Sequence, residues 1–132
     1  MKKLAIILLC SVASLIGCAG EETYSNLAIS GFIDQLRDQG VDGTLEISVP
    51  NNDDIEYIAN YVIAKYTSTR IISFFKCINM ERAEFNLKEA IKNPKMSGQA
   101  RNGDIIMAAT FYPPDEAAVN KIRDLFVNYK FN

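Results

Sequence analysis

The 132-residue chain contains no histidine. This absence excludes a Ser-His-Asp triad and a Cys-His pair, because both mechanisms need an imidazole to move the proton. It also removes the commonest side-chain ligand of protein-bound metals. The sequence has no Gly-rich phosphate-binding loop and no internal repeat. We therefore expect neither a cofactor nor a metal, and the classes that remain are binding, assembly and carboxylate-based chemistry.

The chain also lacks an excess of positive charge, with 14 Lys and Arg residues against 16 Asp and Glu residues. Nucleic-acid-binding domains carry a basic patch, so we expect no nucleic-acid partner. One short segment has only basic charges, at Lys92, Lys95 and Arg101. It could meet an acidic partner or lipid phosphates. We favour the alternative that these charges protect an edge strand from aggregation.

The first seventeen residues have the pattern of a secretory signal peptide. Lys2 and Lys3 give a positive start, and residues 4–16 are apolar except for two serines. This apolar stretch is shorter than the about 20 residues that a membrane-spanning helix needs. A basic start, a short apolar stretch and small residues at its end predict a signal peptide over residues 1–17.

The last four residues of this region, Leu15-Ile16-Gly17-Cys18, have the order Leu, aliphatic, small, Cys. This pattern resembles the lipobox of bacterial lipoproteins, and the resemblance covers residues 1–18 only. It implies that the Cys18 thiol receives a diacylglyceryl group and that the signal peptide is then cut immediately before Cys18. It also implies that the new amino terminus is acylated, with palmitate as a typical chain. Two or three acyl chains bind a membrane stably, whereas one does so marginally. The other interpretations are an ordinary cleaved signal peptide and an uncleaved N-terminal anchor.

The residues after Cys18 bear on location and domain organisation. In enterobacterial lipoproteins an Asp at this point favours the inner membrane. Ala19 stands there in this chain, so the resemblance favours the outer membrane of the cell envelope. We interpret residues 18–24 as a lipidated tether with a solvated acidic pair, although such acids can also mark surface export. Residues 25–132 have the length of a single globular domain.

Cysteine is scarce, with three residues in the chain. Cys10 would leave with the signal peptide and Cys18 would be alkylated, so Cys77 would remain alone. One thiol can form neither an intramolecular disulfide nor a structural zinc site. Because Cys77 lies in the apolar run IISFFKCI, we interpret it as a small buried hydrophobe rather than a reactive thiol. The domain must then be held together by its hydrophobic core.

Hydrophobic periodicity predicts an α+β domain. Helices are predicted over residues 25–39, 51–66, 80–94 and 113–131. Strands are predicted over residues 43–50, 70–78, 95–101 and 104–112. The pair Asn102-Gly103 favours a tight hairpin between the last two strands, and the helix between the first two suits a parallel crossover. We therefore predict a mixed sheet of about four strands, packed by about four helices.

Helical spacing leaves some aromatic side chains outside the apolar stripes. Tyr57 and Tyr61 point away from the stripe of the second predicted helix. In the third predicted helix, Phe85 lies almost opposite Leu87, whereas Ile91 is expected to point inward. We interpret Tyr57, Tyr61 and Phe85 as candidate contacts with a protein partner. The alternative is that another layer, such as the first helix or the tether, covers them.

Two functional hypotheses follow. The favoured one is a small lipid-anchored envelope protein that acts as a protein-interaction, assembly or inhibitory module. Its partners would be the membrane, through lipid on Cys18, and another envelope protein. The alternative is a small-ligand-binding protein or a carboxylate-based hydrolytic enzyme at the envelope, using Asp104, Tyr112 and Asp115 near the ends of the long last strand. That alternative needs two carboxylates with separated pKa values in one cleft.

Overall fold

The computed structural model describes residues 24–63 and 68–131. Its helices are α1 (Ala28–Asp38), α2 (Met80–Ile91) and α3 (Glu116–Asn128). Its strands are β1 (Thr44–Ser48), β2 (Ile55–Val62), β3 (Thr69–Cys77), β4 (Ser97–Asn102) and β5 (Ile105–Tyr112). The α+β prediction is confirmed, with five strands and three helices in the described residues instead of about four of each. Cys18 and the segment predicted as a signal peptide lie outside the described residues.

The five strands form one sheet in the order β1-β2-β3-β5-β4. Every pair of neighbouring strands is antiparallel. The predicted parallel crossover is therefore wrong, and the sheet is not mixed. The hairpin of β4 and β5 is confirmed, and it places β4 at one edge of the sheet.

The helix predicted over residues 51–66 is also wrong, because its central part forms β2. The segment satisfies a period of two as well as a helical period, and it is rich in β-branched and aromatic residues. β2 pairs with β1 on one side and with β3 on the other. Hydrogen bonding to two partner strands outweighs a local preference that was ambiguous.

One face of the sheet, named here the core face, carries the main hydrophobic core. α1 and α3 both pack on it. Phe32 of α1 is fully buried, and its ring centroid lies 5.6 Å from those of Phe74 in β3 and Phe126 in α3. Phe32 therefore joins both helices to the sheet, and rings at such distances gain from edge-to-face contact in addition to burial.

The hairpin turn also holds the end of α3. The side-chain amide of Asn102 donates hydrogen bonds to the carbonyl oxygens of Phe126 and Tyr129, at 2.8 and 2.6 Å. Carbonyls in the last turn of a helix have no partner within the helix, so this amide satisfies them. Gly103 has a φ of +63°, as a tight hairpin turn requires.

The opposite face of the sheet, named here the open face, carries α2 as its one helix among the described residues. α2 contacts this face through Ala83 and Leu87, next to Phe75, Cys77 and Ile106. This second cluster is much smaller than the core of the first face. Cys77 is fully buried there, as expected, and burial raises the pKa of its thiol.

Candidate functional site

Exposed apolar side chains are concentrated on α2 and the residues that lead into it. In the described parts of the chain, seven large hydrophobic side chains are exposed, and four of them lie between residues 78 and 91. We name these four the α2 surface: Ile78, Met80, Phe85 and Ile91. The other three are scattered over the fold: Val49, Tyr112 and Val127. Single exposed hydrophobic residues are ordinary, but a cluster on one short element marks a candidate contact site.

Local geometry explains why α2 presents these side chains. Asn79 caps the helix by accepting a hydrogen bond from the backbone N–H of Arg82 at 2.8 Å. The side of the helix that faces the sheet carries Ala83, the one fully buried residue of α2. Phe85 lies two residues further, about 200° around the helix axis, and so points outward. Its predicted outward position is confirmed, with 44% of the residue exposed.

Ile91 was expected to point inward, and that expectation is wrong. The residue is 59% exposed. Ala90 lies on the side of α2 that faces the sheet, and its neighbour Ile91 is turned about 100° from it. This rotation places Ile91 on the flank of α2, on nearly the same line as Met80. The α2 surface is therefore larger than the sequence predicted.

Phe85 is exposed but is held in place by a clamp. The guanidinium of Arg82 lies 4.5 Å from the centroid of the Phe85 ring. The same guanidinium donates to the carboxylate of Asp54 at 2.6 Å, and this hydrogen bond raises the pKa of Arg82. Asp54 lies just before β2, so the clamp joins α2 to a neighbouring loop. An aromatic side chain fixed before binding loses less conformational entropy when a partner arrives.

A small cleft lies beside α2 on the open face. It has a volume of about 240 Å³, and its apolar lining includes Ile55, Phe75 and Ile106. Asn86 and Ala90 line it from the helix. Clefts that hold drug-sized ligands have volumes of about 300–1,000 Å³. This cleft is smaller, and it fits one side chain of a partner better than a whole ligand.

Tyr57 and Tyr61 do not lie at the surface, so their predicted exposure is wrong. They are 8% and 0% exposed, respectively. Because β2 is a strand, both side chains point to the core face, where α1 and its following loop cover them. The hydroxyl of Tyr61 donates to the carbonyl oxygen of Val41 at 2.6 Å, in the segment after α1. The alternative interpretation of these two residues, in which the first helix covers them, is therefore confirmed.

The two buried tyrosines differ in hydrogen bonding. The Tyr57 hydroxyl makes no hydrogen bond of ordinary geometry among the described residues, although the backbone N–H of Ile29 lies near it, and burial raises its pKa. We expect Tyr61→Phe to lower the free energy of unfolding by about 1–2 kcal/mol, because it removes a hydrogen bond to Val41. Tyr57→Phe should lower the free energy of unfolding by less than about 0.5 kcal/mol, or raise it, because this substitution removes an unpaired buried hydroxyl. Urea unfolding measures both, and a larger loss for Tyr57→Phe would contradict this assignment.

The carboxylates proposed for an enzyme do not share a cleft. Asp104 and Asp115 lie at opposite ends of β5, which has eight residues and a length of about 25 Å. Asp104 pairs with Lys76 at 2.9 Å. Asp115 caps α3 through the N–H of Ala118 and pairs with Arg70 at 2.8 Å, and both contacts lower its pKa. Both carboxylates therefore have structural roles at separate places.

The basic segment lies beside the edge strand, as the favoured interpretation requires. Arg101 is part of β4, and Lys95 precedes it. Arg101 donates to the carbonyl oxygen of Gly103 at 2.8 Å, and Lys92 lies 3.2 Å from Glu89. These contacts are local and exposed, so the segment does not form a focused anion site. Charged residues at such an edge discourage pairing with strands of other chains.

Residues 24–63 and 68–131 also lack the features of a metal centre and of a membrane-spanning helix. No three Cys, Asp or Glu side chains there come close enough to hold a metal ion. Within them, α1, α2 and α3 all fall short of the length and hydrophobicity of a membrane-spanning helix. Comparison with known proteins gave no match to a family model, to a curated protein or to a solved structure.

Proposed function

We propose that this chain is a lipid-anchored envelope protein whose folded domain binds another protein through the α2 surface. The observation that carries the proposal is the concentration of exposed apolar side chains between residues 78 and 91. Phe85 is the proposed anchor of the contact, because aromatic residues dominate the energetics of protein interfaces. Its clamp by Arg82 supports that role.

The anchor is proposed from the lipobox-like sequence that ends at Cys18. The tether over residues 18–24 contains seven residues, which can span at most about 25 Å. A domain held on such a tether remains close to the membrane that carries the lipid. The proposed partner is therefore an envelope protein within the same distance of that membrane, and the outer membrane remains the favoured location.

Affinity capture tests the proposed contact, after chemical cross-linking in the intact envelope and then solubilisation in detergent. We expect Phe85→Ala to reduce recovery of a captured partner at least about tenfold, because loss of a central aromatic residue costs about 2 kcal/mol or more. Val127→Ala is the matched control, since Val127 is a 39% exposed hydrophobic residue on α3, outside the α2 surface. Quantitative mass spectrometry compares the two variants with the unchanged chain.

The control variant should recover the partner at the level of the unchanged chain. Equal recovery by Phe85→Ala and Val127→Ala would reject Phe85 as the anchor of the contact. Circular dichroism of both variants should be unchanged, because neither residue belongs to the core.

A further inference from the structure

On the outward side of α2, an acidic side chain lies at the start of the helix and basic side chains lie toward its end. This order of charges is complementary to the same order read in the opposite direction. Residues at positions i, i+4, i+7 and i+11 of a helix lie along one line of its surface. In α2 and the residue that follows it, one such line runs through Glu81, Phe85, Lys88 and Lys92. All four residues are exposed. The line therefore carries an acid at its start, an aromatic ring near its middle and two bases at its end.

From this order we propose that the partner of the α2 surface is a second copy of this chain, with the two α2 helices antiparallel about a two-fold axis. The proposal rests on the proposed function, because it names the partner of the same surface. In this arrangement Glu81 of each copy faces Lys92 of the other. Phe85 faces Lys88, so a cation meets the face of an aromatic ring. A two-fold axis makes each of these contacts twice.

The apolar flank of the helix fits the same axis. Met80 and Ile91 lie on one flank of the helix, about 100° around its axis from the charged line, and are 55% and 59% exposed. A two-fold axis that pairs residue 81 with residue 92 also places Met80 of one copy and Ile91 of the other on the same side of the pair, at the border of the contact. Glu84 then comes close to Lys88 of the other copy. The same antiparallel register thus brings unlike charges together and leaves apolar side chains at the border of the contact.

A parallel arrangement loses this complementarity, since each residue would face itself. Lys88 would meet Lys88, and like charges at such positions repel. Lys92 pairs with Glu89 of its own helix at 3.2 Å, but both side chains are more than half exposed. Such exposed pairs contribute little, so Lys92 can exchange this partner at small cost. Charge complementarity therefore selects the antiparallel pair.

The small area that two α2 helices can bury indicates a weak contact, which depends on the membrane anchor of each copy. α2 has 12 residues and is about 18 Å long. A helix pair of this length buries less than the about 1,200–2,000 Å² of stable interfaces. Copies attached to one membrane are confined near each other, which raises their effective concentration. The pair should therefore form in the membrane and dissociate on dilution in detergent.

Cross-linking of the full chain in envelope membranes tests the proposal. The reporter is Lys88→Cys, which places two thiols near the two-fold axis, treated with a short bismaleimide. Lys121→Cys, at an exposed position of α3, is the control. We expect a cross-linked dimer from the reporter and none from the control.

Charge reversal in the reporter background tests the antiparallel register. Glu81→Lys should reduce the cross-linked fraction about fivefold, because a like charge then faces Lys92 at two symmetric positions. Adding Lys92→Glu should restore cross-linking, which a misfolded chain would not show. Cross-linking that is insensitive to Glu81→Lys would overturn the proposed arrangement.

Absence of a dimer from both Lys88→Cys and Glu84→Cys, which remove different contacts of the pair, would overturn the self-association itself. The proposed function is judged separately, by the capture experiment with Phe85→Ala. If that variant loses a different envelope protein while neither cysteine variant gives a dimer, the second copy is rejected as the partner and the α2 surface remains a binding site. If neither effect is seen, both proposals are rejected.

Discussion

Replacing Cys18 by serine is expected to reduce the incorporation of labelled palmitate into the chain to background. Serine keeps the size and polarity of the position but lacks the thiol that the lipobox resemblance assigns to the lipid. A chain that has lost its signal peptide and carries no acyl chain should not bind the membrane, because the mildly acidic chain is not drawn to anionic lipid. Labelling and membrane fractionation after a high-salt wash measure the two effects.

The other two cysteines provide the controls for this experiment. Cys10→Ser and Cys77→Ser should keep full labelling, since Cys10 precedes the expected cleavage site and Cys77 is fully buried. Labelling that persists in Cys18→Ser would contradict the assignment of the lipid to this residue. Loss of labelling in all three variants would point to a general failure of export.

Replacing Phe32 by alanine is expected to cause the largest loss of stability in the domain. The Phe32 ring contacts the rings of Phe74 and Phe126, and it also lies 5.3 Å from the ring of Tyr129. Truncation of a fully buried phenylalanine to alanine lowers the free energy of unfolding by about 3–5 kcal/mol, because apolar burial is lost and a cavity remains. The free energy of unfolding of a domain of this size is about 5–15 kcal/mol, so the variant should be close to unfolding.

Urea unfolding followed by circular dichroism measures this loss. Phe85→Ala serves as the comparison, because it removes the same side chain from an exposed position. It should lower the free energy of unfolding by less than about 1 kcal/mol. Similar losses in the two variants would contradict the assignment of Phe32 to the core and of Phe85 to the surface.

Local sequence was sufficient to predict the hairpin and the position of Phe85. A two-residue turn at Asn102-Gly103 depends on backbone preferences of those residues alone. The outward position of Phe85 follows from the spacing of Ala83 and Leu87 once the helix is assigned. Both conclusions needed no knowledge of the rest of the fold.

The tyrosines of β2 could not be placed in the same way. Residues four positions apart share a side of a helix and a face of a strand, so Tyr57 and Tyr61 stay together in either structure. What differs is which side is buried. α1 and α3 cover the face that carries the tyrosines, and leave Ile58 and Val62 on the open face. That choice depends on contacts distant in sequence, which the local pattern does not contain.

The size of the α2 surface was missed for a related reason. Ile91 follows Leu87 by four residues, and this spacing is compatible with an inward position next to Leu87. The orientation of α2 on the sheet decides its burial, and in the last turn of the helix Ala90 faces the sheet instead of Ile91. The clamp of Arg82 on Phe85 also depends on Asp54, which is 28 residues away in sequence. No local signal joins these two positions.

Site-specific photo-cross-linking in the intact envelope tests the central claim most directly. A photo-reactive phenylalanine analogue is placed at position 85 in one chain and at position 127 in a control chain. The account predicts a discrete protein adduct from position 85, with twice the mass of the chain if the partner is a second copy, and no adduct from position 127. No adduct from position 85, or the same adducts from both positions, would contradict it.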